Sequence, residues 1–412
     1  MAEILGRIKA DIRLQRIILC FMGVLAAVSL VQGCKNAVLF SQDFQWDSAR
    51  ALSLRLNPYD ISLNTAELPE KYDFEEYYLQ MEANQFPSLL LLLLPYTFLP
   101  PLTARYAWLL SNLAFTAGII LLLRKTFLNG ADRFIFAFFM LLMIAGTPYR
   151  NQLGVGQHTL FAFFFFLLAV YCIDKQEGLS LKAALALFVC YFKYTLTVPL
   201  AVYFIYRRRL REVFVSAGLH VLLTGFCAWW LNDSFINMLL KPLRVSAKLA
   251  GEGGIDLGAL LKGSPLAYAL AFMVLCFLVF LTFRFSAESF KEAGSGHRAV
   301  ANESREGSVS ERKAGSHRDR DALLISILTL WSLILTYHRT YDFFVIVIVL
   351  AFMLTKRCPD RLKYLYALTL AAVFFGLRLF SESVPSRIAA GIIYYAFTIL
   401  VTCEGFIVND KK

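Results

Sequence analysis

Charged residues are scarce in this sequence, making up 17% of its 412 residues, whereas hydrophobic residues make up 58%. So few charges cannot cover the surface of a soluble globule of this size. The eight cysteines are scattered without a Cys-x-x-Cys spacing, which excludes a zinc site of that type and gives no sign of a disulfide framework. Internal repeats of solenoid length are also lacking. We therefore predict an all-α polytopic membrane protein.

The formal net charge of +11 comes from Lys and Arg residues that collect in short clusters between the hydrophobic runs. This distribution is typical of the positive-inside rule, and it offers no continuous basic face for nucleic acid. The predicted partners are membrane lipids rather than nucleic acid. With Arg13 and Arg16 inside, the apolar run 17–34 is a retained first helix, and 36–85 becomes a first outer loop. Within it, 48–56 is predicted as a short amphipathic helix on the membrane surface or as an ordinary loop helix.

The basic clusters predict one transmembrane domain over 1–412 with about twelve crossings. The stretch 86–123 is too long for one helix and is broken by Pro95 and Pro100-Pro101. It holds either a re-entrant piece plus one span, or its terminal pair Arg124-Lys125 violates the positive-inside rule. The runs 181–192 and 196–206 are half-length pieces that turn back at Lys193-Tyr194. The polar tract 286–321 is predicted to be a disordered cytoplasmic loop.

This topology places a set of polar side chains at the outer ends of helices. Carboxylates, imidazoles and amides mix there with basic residues, as in a functional site. The alternative is that they are loop and interface residues whose charged ends reach water. The set consists of Asp43, Asp47, Arg150, Asn151, Gln157, His158, Lys193, His338, Arg339 and Asp342.

Two of these positions point to an anion site. Lys193 interrupts an apolar run, where an uncompensated charge is costly unless it reaches water or an anion. The segment Tyr337-His-Arg-Thr-Tyr-Asp342 crowds a cation, an imidazole and a carboxylate at the mouth of two helices. Charge-assisted donors of this kind form a candidate phosphate clamp, to which Arg150 could add.

The first loop carries a resemblance to a known family. Asp43-Phe-Gln-Trp-Asp47, followed by Ala49-Arg-Ala-Leu and Asn57-Pro-Tyr-Asp60, resembles the outer-loop signature of glycosyltransferase family 87. Phe86-Pro87, Gly156-Gln157 and Lys193 match later motifs of that family in order. Ser88, Thr159 and Tyr194 depart from it, which suggests a divergent member.

The resemblance implies a GT-C-like fold and transfer of a hexose or pentose, with mannose favoured, from a polyprenyl-phosphate donor to an acceptor hydroxyl. The reaction would be an inverting single displacement on the outer face of a bacterial plasma membrane, with Asp43 as catalytic base. Donor phosphate binding is assigned to Arg150, Lys193, His338 and Arg339. Sugar or acceptor contacts are assigned to Asp47, Gln85, Gln157, His158 and Asp342.

No cofactor is predicted. A divalent metal is possible but not favoured, since Asp43 and Asp47 alone make a poor site. The acceptor is a lipid or a glycan in these predictions. A polytopic lipid or solute transporter is the alternative function, although a transporter would carry its charges nearer to mid-membrane. A membrane scaffold without catalytic activity is a third reading.

Overall fold

The computed structural model describes residues 11–66, 82–129, 131–176, 178–249, 255–261, 264–299, 306–335, 338–354, 358, 360–381 and 384–410. Throughout these ranges the regular structure is helical, with no β-strand. The prediction of an all-α membrane protein is confirmed.

The α-helices of the described residues are numbered in chain order. They are α1 Ile12–Leu39, α2 Trp46–Ser53, α3 Pro58–Ser62, α4 Pro87–Leu90, α5 Leu94–Thr97, α6 Pro101–Thr126, α7 Arg133–Ala145, α8 Thr147–Val155, α9 Thr159–Ile173, α10 Leu181–Cys190, α11 Tyr194–Tyr206, α12 Leu210–Trp230, α13 Phe235–Leu249, α14 Leu257–Leu260, α15 Pro265–Ala299, α16 Glu306–Leu335, α17 Val347–Met353, α18 Asp360–Ser381 and α19 Val384–Asp410. Short 3-10 helices lie at Leu91–Leu93, Tyr191–Lys193 and Thr340–Ile346.

Side-chain caps define several helix starts. Asp11 accepts hydrogen bonds from the backbone N–H groups of Arg13 and Leu14 at the start of α1. Asn57 does the same for Tyr59 and Asp60, with Pro58 as the first residue of α3. These caps satisfy N–H groups that the first helical turn leaves without an intrahelical partner.

By length and composition, five helices could cross a membrane, or six if the pair α7 and α8, bent by 50°, is one span. The five are Ile12–Leu39, Pro101–Thr126, Leu181–Tyr206, Leu210–Trp230 and Pro265–Phe283. Shorter apolar helices accompany them, among them Thr159–Ile173 and Thr340–Met353. The number of about twelve crossings stays a prediction.

The run Leu181–Tyr206 turns back on itself. A straight helix of that length would separate its ends by about 39 Å. Instead, the two flanking segments touch, since Arg207 pairs with Asp174 at 2.6 Å and the backbone N–H of Ser180 donates to Glu212 at 3.0 Å. The predicted reversal at Lys193-Tyr194 is therefore confirmed, and it brings Lys193 to the opposite end of the bundle from Arg207.

The ambiguous stretch 86–123 consists of a short broken element followed by one long helix. Helices α4 and α5 with the 3-10 turn between them make up the broken piece, and α6 begins at Pro101. Both ends of the broken piece contact the first loop: the Tyr59 hydroxyl donates to the Gln85 carbonyl, and Trp46 Nε1 donates to the Tyr96 carbonyl. This arrangement matches the first alternative, a re-entrant piece plus one span.

The first loop begins later than predicted, because α1 continues through Leu39. The predicted helix at 48–56 is present as α2, but six of its eight residues are buried. It is covered by protein rather than lying on a membrane surface. The tract 286–321 overlaps the helices α15 and α16, and its disorder and the boundaries of the domain stay predictions.

Candidate functional site

Asp43 is held in place by a strained turn between α1 and α2. Ser41 and Gln45, on either side of it, have φ values of 39° and 62°. Residues other than glycine rarely adopt such backbone angles, so the turn persists only where its surroundings enforce it. The Asp43 backbone N–H donates to the Val155 carbonyl at 2.8 Å, which ties the turn to the end of α8.

The partner loop is shaped by Gly156, which ends α8 with a φ of 69°. Its carbonyl accepts a 2.7 Å hydrogen bond from Trp108 Nε1, and a Cβ there would lie 3.1 Å from Ser41 Oγ. The Gly156-Gln157 pair thus has a physical role: glycine permits the turn, and Gln157 Nε2 then reaches Asp43 Oδ2 at 3.3 Å.

The surroundings of Asp43 act on its pKa in opposite directions. Burial raises the pKa of this carboxyl, whereas Lys193, Arg339 and a hydrogen bond from Tyr341 lower it, and Asp342 raises it. The net effect is a pKa above the usual value. The Asp43 carboxyl is partly buried, its pKa is raised, and it experiences the charges of Lys193 and Arg339. These properties suit a general base beside an anion site.

Asp342 is the hub of the polar network. Its Oδ1 pairs with Lys193 Nζ at 2.9 Å and accepts from Thr159 Oγ1 at 2.6 Å. Its Oδ2 lies 3.1 Å from His338 Nδ1 and accepts from the Arg339 backbone N–H at 3.2 Å. With both oxygens engaged, Asp342 holds the side chains of Lys193 and His338 in place.

Lys193 reaches this hub because the 3-10 turn at Tyr191–Lys193 ends α10 there. The Lys193 side chain is about 10% exposed, and its Nζ lies 5.2 Å from the centre of the Tyr341 ring. A buried ammonium is tolerated when it is paired and hydrogen-bonded. Its pairing with Asp342 leaves two further N–H donors for an anion.

These groups border a cleft with an empty volume of about 460 Å³. Polar side chains from five segments line it: Asn84, Gln85, Gln157, Lys193, Tyr194, Thr195, Ser246, Tyr341 and Asp342. In this lining only Lys193 and Asp342 carry charge, and they pair with each other. Gln85 is 5% exposed, and its Oε1 has no hydrogen-bond partner among the described residues, so an acceptor is available to a ligand there.

Six predicted site residues are not among those that line the cleft. Asp43 is hydrogen-bonded to Gln157 of the lining, and His338 and Arg339 contact Asp342. The other three are His158, Arg150 and Asp47.

His158 is fully buried, stacked on Phe192 at 4.3 Å with its Nε2 3.0 Å from the Phe44 carbonyl. Burial lowers its pKa to about 3, so this imidazole is neutral. Arg150 donates to Gln32 of α1 at 3.0 Å, on the side of α8 that faces α1.

Asp47 is the third. It is 3% exposed, and neither carboxylate oxygen has a hydrogen-bond partner in the described part of the chain. Burial raises its pKa to about 8, against the lowering effect of Arg105. Arg105 in turn donates to the carbonyls of Val38 and Leu39, so the pair lies at the junction of α1, α2 and α6.

Sequence reasoning left Tyr341, Tyr194 and Ser246 unassigned. Tyr341 stands inside the quoted Tyr337–Asp342 segment, and Tyr194 follows Lys193, so both had a signal in the sequence. Ser246 had none: it approaches the cleft on α13, and its Oγ lies 2.8 Å from the Tyr194 hydroxyl.

Within the described ranges, no three His, Cys, Asp or Glu side chains gather as a metal site would require. The absence of a metal or other cofactor from the reaction stays a prediction.

Comparison with known proteins adds one result. The model of glycosyltransferase family 87 matches residues 87–301, slightly more than half of the chain. No curated protein and no solved structure matches significantly. The matched region includes Gln157, Lys193 and Ser246, whereas Asp43 and Asp342 lie outside it.

Proposed function

Because the chain belongs to glycosyltransferase family 87, and is thus a membrane glycosyltransferase, we propose that it moves a hexose or pentose from a polyprenyl-phosphate donor to an acceptor hydroxyl. Mannose is the favoured sugar, and a lipid or a glycan is the acceptor. The reaction takes place on the outer face of a bacterial plasma membrane. The observation that carries the proposal is Asp43, which is hydrogen-bonded to Gln157 of the cleft lining and whose pKa is lowered by the charges of Lys193 and Arg339.

In the proposed reaction, the acceptor oxygen attacks the anomeric carbon as its proton passes to Asp43. The bond between that carbon and the phosphate oxygen breaks, and the lipid phosphate leaves with the electron pair. A single displacement of this kind inverts the configuration at the anomeric carbon. One carboxylate is sufficient, since a phosphate leaving group needs charge stabilisation more than protonation.

Lys193 and Arg339 supply that stabilisation. Lys193 lines the cleft, and the charges of both residues lower the pKa of Asp43, which favours a role beside an anion bound there. His338 contributes by holding Asp342, which keeps Lys193 in position. Fixed donors aimed at developing charge are among the largest contributions to catalysis in a site that excludes water.

The remaining predicted residues take different parts in the proposal. Gln157 orients Asp43, and Gln85 contacts the sugar or acceptor through its unpartnered carbonyl oxygen. Asp342 positions Lys193 rather than touching the sugar. His158, Arg150 and Asp47 support the surrounding structure.

The test is transfer from radiolabelled polyprenyl-phosphate sugars by purified protein in nanodiscs, with the product identified by mass. Asp43→Asn keeps the shape of the side chain and removes the base, so turnover should fall by at least a thousandfold, within the range ascribed to general bases and charge effects. Asp132→Asn, which retains a helix cap at α7, is the matched control and should keep full turnover. Normal turnover in a folded Asp43→Asn protein would refute the assignment of the base.

A further inference from the structure

Helix α13 has two opposite apolar faces, and among the residues that the structure describes only one of these faces is covered by protein. Met238 and Val245 are fully buried on one face. Ile236, Leu240 and Leu243 are 65%, 42% and 43% exposed on the other. At 100° per residue these three side chains fall within one narrow arc of the helix.

The exposed face continues the apolar surface of a candidate membrane span. Helix α12 ends at Trp230, and α13 begins at Phe235 after a short turn. On α12, Leu222 and Trp229 are 69% and 72% exposed. Two adjoining apolar surfaces of this kind indicate contact with the same lipid phase.

The flank of α13 next to its exposed apolar face is polar and basic. Asn237, Arg244 and Lys248 follow one another at helical spacing along this flank, and all three are exposed. Lys248 Nζ donates to the Ser62 carbonyl at 3.1 Å, which leaves Arg244 as the basic group directed to lipid. Basic residues beside an apolar face are typical of helices that lie in a membrane interface, where they meet lipid phosphates.

The opposite flank of α13 reaches the cleft. Ser246 lines it and lies within hydrogen-bond distance of Tyr194. The helix is clamped to the first loop by Lys241, which pairs with Asp60 at 2.7 Å and with Asp233 at 2.5 Å. A single helix therefore separates the cleft from the exposed apolar surface.

We propose that α13 lies in the membrane interface at the Asp43 end of the bundle and forms the side of the cleft that faces lipid. Its exposed apolar residues contact acyl chains, and Arg244 contacts lipid phosphates. A lipid-linked substrate reaches the cleft past this helix, between Ser246 and Tyr194. The contact with lipid is independent of the reaction, whereas the substrate path rests on the proposed function.

The lipid contact is tested by spin labelling of the full chain in nanodiscs of zwitterionic and anionic phospholipid. Labels are placed by Leu240→Cys and Leu243→Cys, with Asn237→Cys as the matched control, after replacement of the native cysteines by Ala. We expect the first two labels to favour collision with oxygen, and the control to favour a water-soluble nickel chelate. Equal nickel accessibility at all three positions would overturn the proposal.

The substrate path is tested by comparing KM values for donors with long and short prenyl chains. The double variant Leu240→Asp with Leu243→Asp should raise the KM for a long-chain donor at least fivefold and that for a short, water-soluble prenyl donor less than twofold. Asn237→Asp adds charge on the polar flank and should change neither KM by more than twofold. Equal rises for both donors would refute the path. If the wild-type protein transfers sugar from neither donor, the proposed function fails, and the spin-label result still decides the lipid contact.

Discussion

Among the single residues, Asp342 shows how one buried carboxylate can organise the polar groups around a cleft. Lys193, His338, Thr159 and the Arg339 backbone all converge on its two oxygens. Such convergence compensates for the cost of removing the charges from water. Removing any one partner would leave Asp342 itself less completely hydrogen-bonded.

Lys193→Met should weaken donor binding, because it removes a charge-assisted hydrogen bond to the lipid phosphate. A bond of this type contributes about 1.5 to 3 kcal/mol, which corresponds to at least a tenfold rise in the donor KM. Lys193→Arg retains the charge and should lose less. Donor titrations of both variants measure this effect, and an unchanged donor KM in Lys193→Met would leave Lys193 with a structural role only.

Asp47 predicts a pH dependence of stability. Its pKa is about 8 in the folded protein, whereas an unfolded chain has a value of about 3.9. The folded state therefore binds the proton more tightly, and this contribution to stability is lost as the pH rises towards 8. Thermal unfolding in detergent should show a lower Tm at pH 8 than at pH 5.

Asp47→Asn should reduce that difference, since an amide does not titrate. The exposed Asp132→Asn serves as the control and should keep the wild-type pH dependence. If Asp47→Asn and wild type lost the same stability between pH 5 and pH 8, another group would be responsible.

Short connections between helices position the polar groups of the candidate site. Helical structure is interrupted at three places that border the cleft. They are the turn at Asp43, the end of α8 at Gly156 and the 3-10 turn at Lys193. Helix interiors satisfy their own backbone groups, whereas these interruptions use tertiary partners, such as the Val155 carbonyl for Asp43.

Gly156→Ala should disturb this arrangement. The φ of 69° is unfavourable for alanine, and its Cβ would crowd Ser41 next to Asp43. The expected cost is about 1 to 2 kcal/mol in stability, with loss of turnover beyond that expected from unfolding. Gly225→Ala, at a helical position open around its Cα, is the control for both measurements. Full turnover in Gly156→Ala would show that the turn tolerates the change.

The reversal of the run Leu181–Tyr206 sets which end of the helix bundle carries Lys193. It is long and apolar enough to cross a membrane, but the contacts of Arg207 with Asp174 and of Ser180 with Glu212 keep its ends together. The result is a pair of short helices that carries Lys193 to the Asp43 end.

This arrangement predicts the side on which each segment is labelled. In a background without other cysteines, Lys175→Cys and Arg211→Cys should react with an impermeant maleimide from the same side of the membrane. Asn237→Cys, beyond α12, should react from the other side. Labelling of positions 175 and 211 from opposite sides would mean that the run crosses the membrane.

Local patterns in the sequence were sufficient to predict the class of protein, and they marked four of the nine residues that line the cleft: Gln85, Gln157, Lys193 and Asp342. Hydrophobic runs, basic clusters and the first-loop motif are local patterns, so they can be recognised without coordinates. Lys193 was conspicuous because a charge within an apolar run needs a partner. The break in 86–123 was marked by its prolines, which cannot continue a helix.

The three-dimensional structure was needed to show which of these residues meet. It gave Asp342 its place as the partner of Lys193, buried His158 against Phe192, and left Asp47 and Arg150 away from the cleft. It also brought Ser246 into the lining from a helix that the sequence pattern did not mark. Local sequence specifies where a helix ends, whereas packing between distant segments decides which side chains share a cavity and which ones lose contact with water.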